Sequence, residues 1–524
     1  MSDESKKDEP RAQADNNGIA VGKIEVGGDV SGNIHVGNSF ATNVKIIFQG
    51  GGKPLAVVLI FMAVVLGVIL WYVIPQKETI MTGQFNVAVA EFLVQDASGK
   101  SISSEDGNTL ANYVSQGIES QFAGLEKTIS YKVWYPNKTG RITGNTPEER
   151  TANAKVLAKK INAYILVYGV IVTDGKKLKF QPEFYVNDES FRDASEITGS
   201  HEIGGQLTLA LPFQGIQSAK NPALAGRIRA LNLITMGLAY YSMDNFDDAL
   251  TYFQKAATEK DWVGSGHEVA YLLIGNAYIR KDSQIQNFAD LPIVEENYNL
   301  ALEDNPNYGR AVIGKANVLY LQASQDKNNC DLSGLEQASV LLDQALALKD
   351  QPASANLETK VHFYLGQIAL LRDACHQTDR DWLTKAQEEF TWVVDQYEMR
   401  KQSSSDYENQ RSLAAYFNLR APCEAQLCDY ESLQSLASHS YARLGYIAYK
   451  DNDADGAIVW IKKSVEVASP YYQGYYSSLM GDIYAASGKK EQAAESYNDA
   501  IAIAEQNADA ASLKTYQAKL SALK

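Results

Sequence analysis

Three hydrophobic rhythms divide the chain. Residues 55–74 form a run of twenty without a single charge. At about 1.5 Å per helical residue that run spans about 30 Å, the hydrocarbon thickness of a bilayer. It is apolar all round, without the polar stripe of a soluble helix, and so predicts one transmembrane helix. Pro54 and Pro75 bracket it, and Trp71 and Tyr72 sit where an interface favours aromatic rings. From residue 84 to 213 the rhythm alternates. Buried-type strands are expected at 85–93, 131–135, 164–172 and 178–186, with 206–211 closing the sheet. Helical periodicity appears at 108–125, where Leu110, Val114, Ile118 and Phe122 share a face. A second helix, 147–161, has Thr146 as N-cap, Pro147 at its first position and Glu149 three residues after the cap. Asp174-Gly175 turns the third strand into the fourth. This order predicts a small α/β layer domain over 84–215. From Ala225 onward the period is helical throughout and the chain repeats itself.

The chain is therefore expected to be multidomain: one transmembrane helix, a small α/β domain and an all-α repeat array. Ahead of the span, residues 1–18 are polar and charged and read as a disordered tail. Residues 19–50 are glycine-rich. Ile24, Val26 and Gly27 recur ten residues later as Ile34, Val36 and Gly37, a pattern of short strands between turns. That segment resembles a glycine-rich stretch near the amino termini of some multidomain bacterial signalling and defence-type proteins. A strand pair so small invites completion by self-association or by a partner's sheet edge.

Charge sets the orientation. Lys6, Lys7, Arg11, Lys23, Lys45 and Lys53 precede the span, whereas the next twenty residues hold only Lys77. The positive-inside tendency puts the amino terminus in the cytoplasm and the domains after the span outside. A net charge of −15 argues against a nucleic-acid partner, whose phosphates require Lys and Arg.

In the repeat region Gly237 is followed at fixed offsets by Tyr240, Ala249, Phe253 and Ala256. Gly481 has Tyr484, Ala493, Tyr497 and Ala500 at the same offsets, and Gly445 has Ala448, Ala457 and Ile461. Units with longer turns follow Gly275, Gly314 and Gly366. This arrangement of small residues where two helices cross, with aromatics between them, resembles the tetratricopeptide (TPR) family. The resemblance implies about six units over 222–505, a capping helix at 506–524, and a right-handed superhelix whose groove takes a protein or peptide. Offsets from each glycine put Asn276, Lys315, Lys360, Tyr446 and Tyr475 in that groove. The stretch 399–438 is irregular and reads as a divergent unit or an extra helix pair.

All four cysteines fall in the long turns or the irregular stretch. Cys330 and Cys375 belong to neighbouring units whose turns stack, and Cys423 and Cys428 lie five apart in one loop. Two disulfides, Cys330–Cys375 and Cys423–Cys428, fit the repeat geometry best of the three possible connectivities and agree with an oxidising compartment. Free thiols in a cytosolic array are the alternative. The run Asp451 to Gly456 looks like the start of a calcium loop, but Lys462 stands where that loop needs a bidentate Glu. No metal or other cofactor is expected.

The α/β region, with its opening FNVAVAEF and later KINAYILVYGVI, resembles the amino-terminal domain of TolB-type proteins and their curli-secretion relatives. That resemblance implies a protein-binding or assembly module. Neither a phosphate loop, a nucleophile elbow nor a zinc-protease motif occurs, and His201 is the domain's lone histidine. The reading is a membrane-anchored, non-enzymatic scaffold or sensor. An envelope assembly factor, or a cytoplasm-facing hub if the topology is reversed, is the alternative.

Overall fold

The structure, a computed structural model, describes residues 80–523 except 125–128, 174–176, 192–193, 211–220, 286, 326–329, 349–355, 376–379 and 418–429. The expected tail, glycine-rich segment and transmembrane span, together with Cys423 and Cys428, lie outside the described residues. Among the described residues, no helix is long and apolar enough to cross a membrane.

A seven-stranded sheet organises the first region. Its strands are β1 (Phe85–Val89), β2 (Leu93–Asp96), β3 (Tyr131–Trp134), β4 (Ile165–Thr173), β5 (Lys177–Val186), β6 (Gly199–Glu202) and β7 (Leu207–Ala210). The long antiparallel β4–β5 hairpin is its spine. β1 and β2 pair in parallel with successive halves of β4, β3 extends the sheet beyond β1, and β6 and β7 share β5. Residues 85–93, expected as one strand, thus break at Glu91, which bridges to Arg141 and ion-pairs with it. β6 escapes sequence reading because Gly-Ser-His-Glu lacks β-branched alternation; its pairing with β5 makes it a strand.

Strand alternation feeds two cores. Val87 and Val89 point toward helix α1 (Glu105–Phe122), whose Leu110, Val114, Ile118 and Phe122 are buried against them. Ala88 and Ala90 point the other way, toward Ala154, Ala158 and Ile161 of α2 (Pro147–Ile161). Thr146 caps α2 by accepting from the Glu149 amide at 3.2 Å, and Asn162 ends it in the left-handed region at φ 59°. Both ends are what an N-cap threonine and a left-handed asparagine produce.

Among the described residues, six helical hairpins follow. They pair α3 (Pro222–Tyr241) with α4 (Phe246–Ala257), α5 (Glu268–Ile285) with α6 (Leu291–Asp304), and α7 (Gly309–Gln325) with α8 (Leu332–Ala347). Next come α9 (Leu357–Ala374) with α10 (Arg380–Phe417), α11 (Gln434–Lys450) with α12 (Ala454–Val467), and α13 (Pro470–Ala486) with α14 (Lys490–Gln506). Helix α15 (Ala510–Ala522) packs on α14. Much of the irregular stretch is simply the continuation of α10, which runs for 38 residues. The repeated glycines are sites of close crossing. A Cβ on Gly481 would stand 2.5 Å from the Tyr497 ring, and one on Gly275 2.7 Å from Tyr298. At the Asp451 to Gly456 run, Asn452 is left-handed at φ 63° and the Asp453 carboxylate accepts from the Gly456 amide at 2.8 Å. The acidic run is an inter-helix turn with an N-cap. No cluster of potential metal ligands occurs among the described residues.

The two regions share one core. The cluster that holds Phe85, Val87 and α1 continues without interruption into Leu224, Leu231, Ile234, Phe253 and Leu273 of the first two hairpins. The α/β region and the array form one compact unit over 78–524.

Candidate functional site

The first helices of successive hairpins each send a cation to the same stretch of the α/β region. Arg227 of α3 donates to the Gly205 carbonyl. Arg280 of α5 clamps the Glu196 carboxylate, with Nε at 2.7 Å and Nη2 at 3.3 Å. Arg310 of α7 donates to the Ser200 carbonyl at 3.2 Å, and its Nη1 lies 3.1 Å from His201 Nε2, which itself donates to the Ile197 carbonyl at 2.8 Å. Lys360 of α9 donates to the Ser195 carbonyl at 2.7 Å. Further along, Lys159 of α2 bridges to Glu431, just ahead of α11, at 2.6 Å. Residues 195–205 therefore lie along the face built by the first helices, gripped at every hairpin from the first to the fourth.

Beside this grip is a cavity of about 730 Å³, within the size range of ligand sites. Ser195 and Glu196 form part of its wall; α5, α7, α9, α11 and α13 supply most of the rest. Its lining is aromatic and cationic. Tyr298, Tyr320 and Tyr364 line it, as do Tyr446, Tyr472, Tyr475 and Tyr476. Arg280, Arg310, Lys360 and Arg443 bring positive charge, and among the described residues Glu196 is the one carboxylate in the lining. In a chain of net charge −15 this is a local inversion of sign.

The electrostatics follow from burial and neighbours. Burial works to raise the Glu196 carboxyl, but the Arg280 charge and the hydrogen bonds from Arg280 and Tyr241 outweigh it and hold it below the usual carboxylate range. The Tyr241 hydroxyl donates to Glu196 at 2.7 Å. Burial pushes His439 down to about 4, assisted by the charges of Arg443 and Arg280. His439 packs edge-on to Tyr472, ring centroids 4.6 Å apart, and its Nδ1 meets the Tyr476 hydroxyl. His201 is driven well below its ordinary value by burial and by the Arg310 charge. It stacks on Phe184 at 4.9 Å as a neutral packing residue.

Four of the five residues placed in the groove by repeat offsets line this cavity: Asn276, Lys360, Tyr446 and Tyr475. Lys315 does not; it lies on the same helix as Arg310 but away from the lining. Asn276 is 5% exposed, and its Oδ1 accepts from the Tyr298 hydroxyl at 2.7 Å. Its Nδ2 has no partner among the described residues. Tyr446 and Tyr475 stand at the exposed rim. Offsets from the glycines missed Arg280, His439 and Arg443. Helical spacing reaches them, since Arg280 lies four residues beyond Asn276, and His439 and Arg443 lie seven and three before Tyr446. Ser195 and Glu196 carry no such signal, being in a turn that only tertiary packing brings to the array. Cys330 and Cys375 are joined in a disulfide with Cα atoms 5.8 Å apart, linking the turn before α8 to the end of α9.

The helix pairs, their crossing glycines and the aromatics filling the crossings are the features of one repeat type. Residues 404–524 match the family described as "Tetratricopeptide repeat-like domain". The chain thus carries a TPR-like part beside its small α/β region. Among solved structures, the TPR2AB-domain:pHSP90-complex of yeast Sti1 is similar over 56% of this chain and 98% of its own, at 14% identity and a TM-score of 0.19. No curated protein matches the chain.

Proposed function

We propose that this protein is a membrane-anchored, non-enzymatic scaffold or sensor, and that the cavity between its α/β region and its TPR-like helices receives a segment of a protein partner. The observation that carries this reading is the cavity itself. Tyrosine and arginine are the side chains favoured at binding hot spots, giving large contact area with polar tips, and here they converge from five first helices on one space of about 730 Å³. The walls are helices held by packing and by the cation grip, so a ligand meets a preformed surface and little ordering cost is added on binding. The α/β region, in our reading a relative of the TolB amino-terminal domain, closes one side of the space. The Cys330–Cys375 bridge favours an oxidising compartment and hence an extracytoplasmic array, with the glycine-rich head coupling to a partner in the cytoplasm.

Two measurements test this. Peptides selected by display against the full-length chain should lose about tenfold or more in affinity on Tyr446→Ala/Tyr475→Ala; selection that enriches nothing, or binding indifferent to the double change, counts against the cavity as the binding site. Protease added to intact cells or spheroplasts should cleave the array, with Cys330 and Cys375 linked in unreduced peptides. Full protection with free thiols would turn the protein into a cytoplasm-facing hub.

A further inference from the structure

The cation grip contains one contact unlike the others. Arg227, Arg310 and Lys360 hold backbone carbonyls, whereas Arg280 holds a carboxylate, that of Glu196. The carbonyl contacts belong to the packing of the sheet edge against the helices. The Glu196 contact adjoins the open space: its side chain is 28% exposed, that of Arg280 25%, and both line the cavity. The Glu196 carboxylate is held by Arg280, by the Tyr241 hydroxyl and by its own backbone amide. Its neighbours Ala194 and Ile197 are buried and stay in the core. Swinging the carboxylate away would break those side-chain contacts and leave the flanking core residues in place.

Resting on the reading of the cavity as the partner's site, we infer that Glu196 is a resident occupant of an acid-accepting position on Arg280, and that the partner segment carries an Asp or Glu side chain that exchanges with it. Charge supports the assignment. With Glu196 turned out, Arg280, Arg310, Lys360 and Arg443 face the cavity with no carboxylate among the described residues of its lining, and an unpaired guanidinium in a partly desolvated site favours an incoming anion. The acidic molecule as a whole, at net charge −15, repels such a segment elsewhere and admits it here. The Asn276 Nδ2 donor, buried and without a partner among the described residues, is available to the same segment. Because Glu196 is tethered, it competes at an effective concentration in the millimolar range. It therefore sets a threshold that weak acidic peptides do not pass.

The test uses a fluorescent peptide of sequence Ala-Ser-Glu-Ile-Thr-Gly-Ser, the chain's own residues 194–200, acetylated and amidated so that its only carboxylate is the glutamate. A control peptide has Gln in its place. Against the full-length protein, Glu196→Gln should raise affinity for the glutamate peptide at least tenfold over wild type and leave the glutamine peptide unchanged. Glu196→Gln combined with Arg280→Gln should abolish the gain. Tyr241→Phe, nearly isosteric, removes one hydrogen bond from Glu196 and should raise affinity about threefold; it keeps the test open if Glu196→Gln folds poorly by thermal melting. Equal affinity of wild type, Glu196→Gln and Tyr241→Phe for the glutamate peptide overturns the exchange. If display-selected peptides nonetheless bind and depend on Tyr446 and Tyr475, the cavity remains the partner's site and only the acid exchange falls. Absence of binding by any peptide to any variant overturns both.

Discussion

At the scale of single residues, the site is a set of polar groups placed where water is scarce. His439 shows the cost. Burial and the charges of Arg443 and Arg280 bring it to about 4 in the fold, against 6.5 in the open chain. Between those two values the unfolded chain takes up a proton that the folded one does not. Stability should therefore be level above about pH 6.5 and fall as pH drops toward 4, by about 1–3 kcal/mol from this residue. Denaturant titrations at pH 5 and pH 7.5 should show that difference shrink in His439→Gln. The crossing glycines make the opposite demand, for space. A Cβ at Gly481 meets Tyr497 at 2.5 Å, so Gly481→Ala should destabilise by about 1–3 kcal/mol through overpacking, measurable as a lowered denaturant midpoint. These glycines were legible from the sequence because their spacing repeats. Asn276, Lys360, Tyr446 and Tyr475 were legible for the same reason, each at a set offset from one. Glu196 was not, because nothing local distinguishes it from any acidic turn residue; its role comes from Arg280, 84 positions away.

At the scale of elements, the short turns between helices follow one rule. The residue just before the N-cap position of the following helix is left-handed. Asp244, Asn452 and Gly488 fill that position, and Ala508 fills it between α14 and α15 at φ 55°. Asn and Gly adopt this conformation readily, alanine does not. Ala508→Gly should therefore stabilise the docking of α15 by about 0.5–1 kcal/mol, seen as slower amide exchange in residues 510–522. The same rule explains why an acidic run resembling a calcium loop became a turn. The disulfide acts between elements. It closes a loop with a sequence separation of 45, and on the chain-entropy view its loss should cost about 4 kcal/mol. Chemical denaturation with and without reductant, alongside Cys330→Ser/Cys375→Ser, measures this. The helices and most strands were legible from period and caps, since those signals are local. The break between β1 and β2 and the existence of β6 were not, because both depend on which partner strand lies alongside.

At the scale of the whole molecule, the domain boundary visible in sequence is not a boundary in packing. Period changes sharply near residue 222, yet Leu224, Leu231 and Ile234 complete the core that begins with Phe85 and Val87. Leu231 is 2% exposed, and Leu231→Ala should cost about 2–5 kcal/mol. The loss should appear in the sheet as much as in the helices: hydrogen exchange at β1 and β4 should accelerate together with that at α3. Unchanged protection in the strands would mean that the two regions unfold independently. The shared core also changes what the array is mechanically. A free stack of helical hairpins is a spring, because each unit touches only its neighbours and small rotations accumulate along it. Here residues 195–205 are fastened to the first, second, third and fourth hairpins in turn. The stretch lies like a ruler beside those four units, and any change in their spacing has to be matched by the α/β region that carries it.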